Sequence, residues 1–226
     1  DVARPEINII TVEDPVEFRM RGINQVQVNN KAGMTFAAAL RSILRADPDV
    51  VLIGEIRDQE TANIAIEASL TGHLVLSTLH TNDAPSAVTR LTEMGVEPFL
   101  LSSSLAAVMA QRLARRLCKK CKRQDTATEA ELRTLGVPHM PDTPLPTIWR
   151  PVGCRECANT GYSGRVAIQQ VMGVDSTMED LIARGATSID IDKAAKEQGM
   201  TTLRKDGWQK ALQGITSVEE VLRVTV

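Results

Sequence analysis

Three apolar runs, separated by segments with helical periodicity, constrain the fold of the first hundred residues. The runs are rich in valine, isoleucine and leucine and cover residues 8–12, 49–54 and 73–79. Strands that alternate with helices in this way are typical of a layered α/β domain with a mainly parallel sheet. Helices are predicted over about residues 35–45 and 59–71, the second beginning after an Asp58 N-cap and ending at Gly72.

Turn and capping signals assign the segments around these helices. Residues 17–28 alternate between polar and apolar side chains, which predicts a hairpin or flap outside the sheet. Asp83 and Pro85 predict the start of a helix that ends at Gly95. A longer helix is predicted over about residues 99–117.

The chain changes character at its first cysteine. Residues 118–165 are rich in proline and poor in apolar periodicity, which predicts an irregular insert that needs its own stabilising device. Helical patterns resume from Val166. We therefore expect an α/β core over residues 1–115, an insert over 116–165 and a helical C-terminal subdomain over 166–226.

The four cysteines form two Cys-x-x-Cys pairs in the insert. The first residues lack an apolar signal-peptide core, and no run of ~18 apolar residues predicts a membrane span, so we expect a cytoplasmic protein. In that compartment the spacing favours zinc over disulfides, and four thiolate ligands predict a closed, structural site. Free buried thiols or a redox pair remain the alternatives. The predicted ligands are Cys118, Cys121, Cys154 and Cys157.

All three predicted strands end in ionisable side chains. Because the carboxyl ends of parallel strands meet at one edge of a sheet, these groups are expected to converge there. Carboxylates and an imidazole together suit a hydrated Mg²⁺ ion, an oriented water and a phosphate. The alternative for any one acid is a cap on the helix that follows it. The residues are Glu13 and Asp14 after the first strand, Glu55 and Arg57 after the second, and His80 after the third.

The second strand has the form of a Walker B segment, in which a short apolar strand carries an acid to a nucleotide. The acid here is Glu55, directly after Gly54. The companion phosphate-binding loop, Gly-x-x-x-x-Gly-Lys-Ser/Thr, does not occur, and none of the 14 glycines is followed by lysine. The sequence therefore predicts only part of a nucleotide site.

Several stretches of the chain match one set of motifs closely. They are residues 10–17 (an aspartate box), 45–49 and 54–58 (Walker B), 71–73 and 78–82 (a histidine box), 95–99, 161–165 and 213–216. Together with the cysteines they resemble the secretion ATPases of type II secretion and type IV pilus assembly, which are RecA-like hexameric motors. The resemblance implies a RecA-like P-loop ATPase core with a zinc-binding insert and a helical C-terminal subdomain. In that family the Walker A loop precedes the aspartate box and is not among these 226 residues. By themselves, these residues are therefore expected to bind ATP weakly and not to hydrolyse it.

The resemblance also implies a role for each strand-end residue. Glu13 would polarise the attacking water, Glu55 would hold Mg²⁺ through water, and His80 would contact the γ-phosphate of ATP. His73 and His80 are seven positions apart, so along a regular strand their side chains face opposite sides of the sheet. A structural role for His73 therefore remains open beside a supporting role in the histidine box. The cofactor-binding residues implied are Asp14, Arg57 and His73.

Partners and location follow from the same resemblance. The chain would belong to a homo-hexamer that uses ATP, Mg²⁺ and Zn²⁺ and that works with inner-membrane platform proteins in pilin or pseudopilin assembly. It would be cytoplasmic and held at the inner membrane through those partners. The motifs do not separate type II secretion from pilus extension.

Two other functions remain open. A zinc-knuckle nucleic-acid-binding module would use the basic residues around the first cysteine pair, and an assembly adaptor would keep the ring surface without hydrolysis. The net charge of -2 and the aromatic content of 3% do not favour nucleic acid, so no such partner is expected. The basic residues are Arg112, Arg115, Arg116, Lys119, Lys120, Lys122 and Arg123.

Overall fold

A computed structural model describes residues 4–225. By packing, these residues form two compact units. The first unit contains the residues up to 106 together with 173–193, and the second contains 107–172 together with the residues from 194 onward. No helix in the described part of the chain is long and apolar enough to cross a membrane.

The strands and helices alternate through the first hundred residues, as the sequence predicts. The strands are β1 (Ile9–Glu13), β2 (Asn24–Gln27), β3 (Val50–Ile53), β4 (Leu74–Ser77), β5 (Ala107–Leu117), β6 (Arg123–Thr126), β7 (Thr147–Arg150) and β8 (Tyr162–Gly173). The helices are α1 (Phe36–Ile43), α2 (Gln59–Leu70), α3 (Pro85–Glu93), α4 (Pro98–Ser104), α5 (Glu129–Leu135), α6 (Ser176–Ala183), α7 (Ser188–Glu197), α8 (Leu203–Leu212) and α9 (Val218–Val224).

The first unit is built on a parallel sheet with the strand order β2-β1-β3-β4. The two central strands are buried because their apolar side chains are covered on both faces, and Val12, Val51 and Ile53 are fully inaccessible. The predicted α/β fold with a mainly parallel sheet is thereby confirmed. The predicted N-cap of α2 is confirmed as well, since the Asp58 carboxylate accepts a hydrogen bond of 2.8 Å from Thr61 N.

The predicted hairpin over residues 17–28 is wrong. Residues 24–27 form β2, which lies parallel to β1, with Glu13 opposite Gln27 at the end of the pairing. The alternation that indicates a strand is present, but periodicity carries no information on strand direction. The chain from Asp14 to Ile23 instead runs back along the sheet so that β2 can begin again at its amino end.

The predicted helix over residues 99–117 is also wrong. Helix α4 ends at Ser104, and residues 107–117 form β5, which pairs with β8. Ala110, Ala114 and Leu117 are buried, and their spacing of four and three positions imitates a helical face. Pairing with a distant strand decides the conformation, and a single-sequence pattern does not contain that contact.

The second unit has more regular structure near its start than the sequence predicts. The antiparallel pair β6 and β7 and helix α5 lie within residues 118–165, and β8 extends to Gly173, so the helices of the C-terminal region begin only at Ser176. A single apolar cluster holds β5, α5, β7, β8, α8 and α9 together. Its most buried members include Ala114, Leu132, Ile148, Ile168 and Val221.

Candidate functional site

The carboxyl ends of β3 and β4 are joined beyond the last residues of the strands. Ile56 N donates to Thr78 O at 3.0 Å, and the Thr78 hydroxyl donates to Gly54 O at 2.6 Å. On the other side of β3, Gly54 N donates to Val12 O at 2.8 Å. The three strand ends therefore hold a fixed spacing, and the residues that follow them are presented at one edge of the sheet.

Glu55 lies between the Arg57 guanidinium and the His80 imidazole at this edge. Its Oε1 is 2.5 Å from Arg57 Nη2, and its Oε2 is 3.2 Å from His80 Nε2. The Glu55 side chain is 14% exposed, whereas those of Arg57 and His80 are 64% and 86% exposed. The hydrogen bond from Arg57 lowers the pKa of Glu55, burial opposes this, and the hydrogen bond with His80 lowers it further. Glu55 is thus an ionised carboxylate whose partners can be displaced by a ligand from solvent.

Glu13 is the last residue of β1 and is half-buried. Its Oε1 accepts two hydrogen bonds, one of 2.5 Å from Thr11 Oγ1 and one of 3.0 Å from Gln25 Nε2. Asp14 follows it in an exposed position, and its charge helps to raise the pKa of Arg57, after the larger effect of Glu55. The structure therefore brings Glu13, Asp14 and Glu55 to the same strand edge.

Thr11 and Gln25 were not among the candidates from sequence, although both contact Glu13. A signal for Thr11 exists, because it precedes Glu13 by two positions and so shares its face of the strand. Gln25 has no such signal, since it contacts Glu13 only because β2 is parallel to β1, and the sequence pattern predicted a hairpin there.

His73 lies at the other end of β4, just before its first residue. Its Nδ1 is 2.9 Å from Ala68 O and 3.2 Å from Thr71 Oγ1, so the ring is held by the last turn of α2. The structure does not bring His73 to the edge where Glu55 and His80 meet. Its contacts are those of a residue that fixes the start of the strand.

The four cysteines converge in the second unit, with all sulfur atoms within 4.8 Å of one another. The Sγ atoms of Cys118 and Cys154 are 3.9 Å apart, those of Cys121 and Cys157 are 3.8 Å apart, and those of Cys154 and Cys157 are 3.7 Å apart. Four thiolates around a tetrahedral zinc ion, with Zn–S of ~2.3 Å, have sulfur atoms about 3.8 Å apart. The cysteine cluster therefore fits a tetrahedral ion of this size.

Backbone N–H groups also point at the sulfur atoms. Gly153 N donates to Cys121 Sγ at 3.3 Å, and Cys157 Sγ accepts from Cys154 N at 3.2 Å and from Gly161 N at 3.3 Å. Burial raises the pKa of the Cys121 thiol to about 11. Burial also acts to raise the pKa of Cys157, but the backbone N–H groups outweigh it and lower this pKa to about 6. A cationic ion would favour the thiolate form at all four positions.

Two of the basic residues near the first cysteine pair have structural partners. Arg115 lies over the Tyr162 ring at 4.1 Å and bonds the buried carboxylate of Glu220. Lys122 lies over the Trp149 ring at 4.4 Å and donates to Gly214 O at 2.7 Å. These cations therefore tie the elements of the second unit together.

Comparison with known proteins gives one consistent result. The family model described as "Type II/IV secretion system protein" matches residues 1–223. The chain is 56% identical over 218 residues to the type II secretion system protein E of Pseudomonas aeruginosa, covering 96% of this chain and 43% of that protein. It is 51% identical over 225 residues to the type IV pilus assembly ATPase PilB of Thermus thermophilus, covering 100% of this chain and 25% of that protein. The chain thus spans less than half the length of these relatives.

Solved structures show the same fold. The pilus retraction motor PilT with bound ADP superimposes with a TM-score of 0.68 at 25% identity, covering 96% of this chain and 52% of that one. The Legionella pneumophila ATPase DotB superimposes with a TM-score of 0.64 at 21% identity, covering 96% of this chain and 51% of that one. At that lower identity the second comparison concerns the fold alone.

Proposed function

Because the chain belongs to the family of type II/IV secretion system proteins, we propose that it is the C-terminal part of a motor that hydrolyses ATP to drive pilin or pseudopilin assembly. The observation that carries this proposal is the meeting of Glu55 with His80 at the sheet edge where Glu13 also lies. A carboxylate with a displaceable arginine partner, a second carboxylate and an imidazole form a suitable edge for a nucleotide phosphate and its metal ion.

The proposed roles are those that the family resemblance implies. Glu13 polarises the water that attacks the γ-phosphate, and its position at the end of β1 fixes it beside the edge. Glu55 would accept hydrogen bonds from the water molecules around Mg²⁺, and His80, which is 86% exposed, would contact the γ-phosphate. When bound, Mg²⁺ neutralises charge that develops on the phosphates.

The other strand-end residues assist this site. Asp14 and Arg57 contribute charge beside the nucleotide, and the Arg57 guanidinium is available to a phosphate once it leaves Glu55. His73 supports the site from the start of β4, through its hydrogen bond with Ala68 O.

The cysteine cluster holds a structural zinc ion in this proposal. Cys118, Cys121, Cys154 and Cys157 supply all four ligands, so no coordination position is left for a substrate water. The ion joins two short segments that are 36 positions apart in sequence. Its contribution is the stability of the region between β5 and β8.

Assembly and location are proposed from the family. The active form is a homo-hexamer in the cytoplasm, held at the inner membrane by platform proteins of a secretion or pilus system, and nucleic acid is not a partner. We assign ATP chemistry to residues 1–115, zinc binding to 116–165 and a helical C-terminal subdomain to 166–226. Alone, these residues hydrolyse no ATP, because they include no Gly-x-x-x-x-Gly-Lys-Ser/Thr loop to hold the phosphates.

The test is Mg²⁺-dependent ATP hydrolysis by the full-length protein that contains this chain. Glu13→Gln is compared with wild type and with Glu67→Gln, which changes an exposed glutamate of α2 outside the matched motifs. ATP binding by each protein is confirmed first. We expect hydrolysis by wild type and Glu67→Gln and a loss of roughly a hundredfold or more in Glu13→Gln, the scale of general-base catalysis.

Two results would contradict the proposal. If the full-length protein binds ATP but never hydrolyses it, with or without its membrane partner, the assembly-adaptor function is favoured instead. If wild type and Glu13→Gln hydrolyse ATP equally fast, Glu13 does not act on the water.

A further inference from the structure

We propose that Gln25 and Thr11 are positioning residues for the reaction, which hold one oxygen of Glu13 so that the other faces the attacking water. The inference rests on the proposed function, because it requires that Glu13 act on water. Its argument comes from the hydrogen bonds of the three side chains.

Glu13 has an asymmetric set of hydrogen bonds. Both donors, Thr11 Oγ1 at 2.5 Å and Gln25 Nε2 at 3.0 Å, bond to the same oxygen, Oε1. Within residues 4–225, Oε2 accepts no hydrogen bond. Two donors from different strands prevent the carboxylate from rotating, and the lone pairs of the second oxygen stay available to accept a proton from water.

The sheet itself places these donors. Thr11 and Gln25 are directly opposite each other in the parallel pairing of β1 with β2. Glu13 lies two positions after Thr11, so its side chain emerges on the same face of the strand. Thr11 is 1% exposed, which keeps water from competing for its hydroxyl. The strand register therefore places both donors beside Glu13.

Both N–H groups of the Gln25 amide have an acceptor, and its oxygen has a donor. Its Nε2 donates to Phe18 O at 2.9 Å as well as to Glu13, and its Oε1 accepts from Met20 N at 2.8 Å. Reversing the amide would break all three bonds, so its orientation is determined. The same side chain thus connects Glu13 to the backbone of the loop before β2.

A neighbouring glutamine provides a control. Gln27 lies opposite Glu13 in the pairing of β2 with β1 and accepts a hydrogen bond of 3.3 Å from Val16 N, in the same loop, but among the described residues its side chain makes no hydrogen bond with Glu13. Replacing Gln27 removes a side-chain hydrogen bond to the backbone of this loop. Replacing Gln25 removes such bonds as well, together with the hydrogen bond that it donates to Glu13.

The experiment measures kcat and KM for MgATP in the full-length protein. Gln25→Met keeps the shape of the side chain and removes both donors, Thr11→Val removes the hydroxyl with little change of volume, and Gln27→Met is the control. We expect kcat to fall roughly tenfold to a hundredfold in Gln25→Met and Thr11→Val, with KM within about twofold of wild type, because such supporting hydrogen bonds act on the reacting group. Gln27→Met is expected to keep wild-type kcat.

Gln25→Glu separates positioning from loop anchoring. The variant keeps an acceptor for Met20 N but places a second carboxylate beside Glu13, so kcat is expected to fall at least as far as in Gln25→Met. A purely structural role predicts that Gln25→Glu is the milder change. Thermal unfolding of each variant verifies that it is folded. If Gln25→Met does not fold, the kcat of Thr11→Val tests the inference.

The outcomes are distinguishable from those of the proposed function. If Glu13→Gln is inactive while Gln25→Met and Thr11→Val keep wild-type kcat, only this inference is overturned. It is also overturned if Gln27→Met loses as much activity as Gln25→Met, or if the substitutions raise KM and leave kcat unchanged. If Glu13→Gln is as active as wild type, the role of Glu13 fails and this inference fails with it.

Discussion

His80 Nε2 lies 3.2 Å from Glu55 Oε2, although the two residues are 25 positions apart. The contact follows from the sheet, because β3 and β4 are parallel neighbours and Ile53 is opposite Ser77 at the end of their pairing. The residues just beyond each strand are therefore neighbours too. Since the His80 side chain is 86% exposed, the contact is accessible from solvent.

The two histidines that flank β4 are expected to differ in their effects on activity and on folding stability. His80→Ala should lower ATP hydrolysis by the full-length protein while leaving the free energy of unfolding nearly unchanged, because a polar contact made by so exposed a side chain contributes about 0–1 kcal/mol. His73→Ala removes the bond to Ala68 O and should lower the free energy of unfolding by about 1 kcal/mol. Urea unfolding of both variants measures this difference. A larger loss of stability in His80→Ala than in His73→Ala would contradict it.

The contacts between residues at the strand ends could be predicted from the sequence, because they require only that the strands be recognised and that the sheet be parallel. Apolar runs reveal buried strands, and a parallel sheet brings the residues after them together, so Glu55 and His80 could be paired from the sequence alone. Gln25 could not be included, because its contact with Glu13 requires β2 to be parallel to β1. Strand direction is decided by how the intervening loop packs, which no periodicity records.

The cysteine cluster predicts one bound zinc ion per chain. Cys121→Ser should abolish zinc binding and lower the melting temperature, because without the ion no metal bond links the two cysteine-containing segments. Lys119→Ala, which changes an exposed residue between two cysteine ligands, should keep the wild-type zinc content and melting temperature. Zinc released by acid or by a thiol-reactive reagent measures the stoichiometry. Full zinc content in Cys121→Ser would rule out a four-thiolate site.

Glu220 is expected to make the second unit sensitive to acid. Its side chain is 1% exposed and bonds Arg115 Nη2 at 2.5 Å and Arg223 Nη2 at 2.8 Å. Burial acts to raise its pKa, but the hydrogen bonds from Arg223 and Arg115 outweigh it and lower the pKa from 4.5 to about 2. Since the folded pKa is below the unfolded one, this stabilisation is complete above about pH 4.5 and is lost as the pH falls towards 2.

The matching substitution is Glu220→Gln. It leaves two arginines without their buried carboxylate and should lower the free energy of unfolding at pH 7 by about 3 kcal/mol, with a smaller difference from wild type near pH 3. Glu129 forms an exposed ion pair of 3.8 Å with Arg133, and Glu129→Gln should change the free energy of unfolding by less than about 0.5 kcal/mol. Denaturant unfolding at both pH values provides the comparison. An equal effect of Glu220→Gln at pH 7 and pH 3 would exclude the charge as the cause.

The misassigned helix over residues 99–117 shows where sequence patterns stop being informative. Ala110, Ala114 and Leu117 have a helical spacing, and intrinsic helix propensity supports the same reading. The segment becomes a strand because β8, more than forty positions later, supplies its hydrogen-bond partners. Such a contact is visible only when both strands are considered together.

Replacement of Gly214 by alanine is expected to destabilise the second unit more than replacement of Gly136. Both follow helices with left-handed backbone, φ being +66° at Gly214 and +71° at Gly136. A Cβ at Gly214 would lie 2.6 Å from Trp149 Cδ1 and 2.8 Å from Lys122 Nζ, whereas a Cβ at Gly136 would meet nothing within 4 Å. Both alanine variants carry the backbone cost of about 1–2 kcal/mol, but only Gly214→Ala must also displace the ring and the ammonium group that bonds Gly214 O.

Thermal and urea unfolding of Gly214→Ala and Gly136→Ala therefore isolate the packing contribution, because the conformational cost is the same in both. We expect Gly214→Ala to lose at least about 1 kcal/mol more than Gly136→Ala, the usual scale for overpacking a site. Trp149→Phe should reduce this excess, since it shortens the ring at the point of the clash and removes the indole N–H. Equal stability of the two alanine variants would show that Trp149 and Lys122 move aside without cost, and that their contact does not hold the loop after α8.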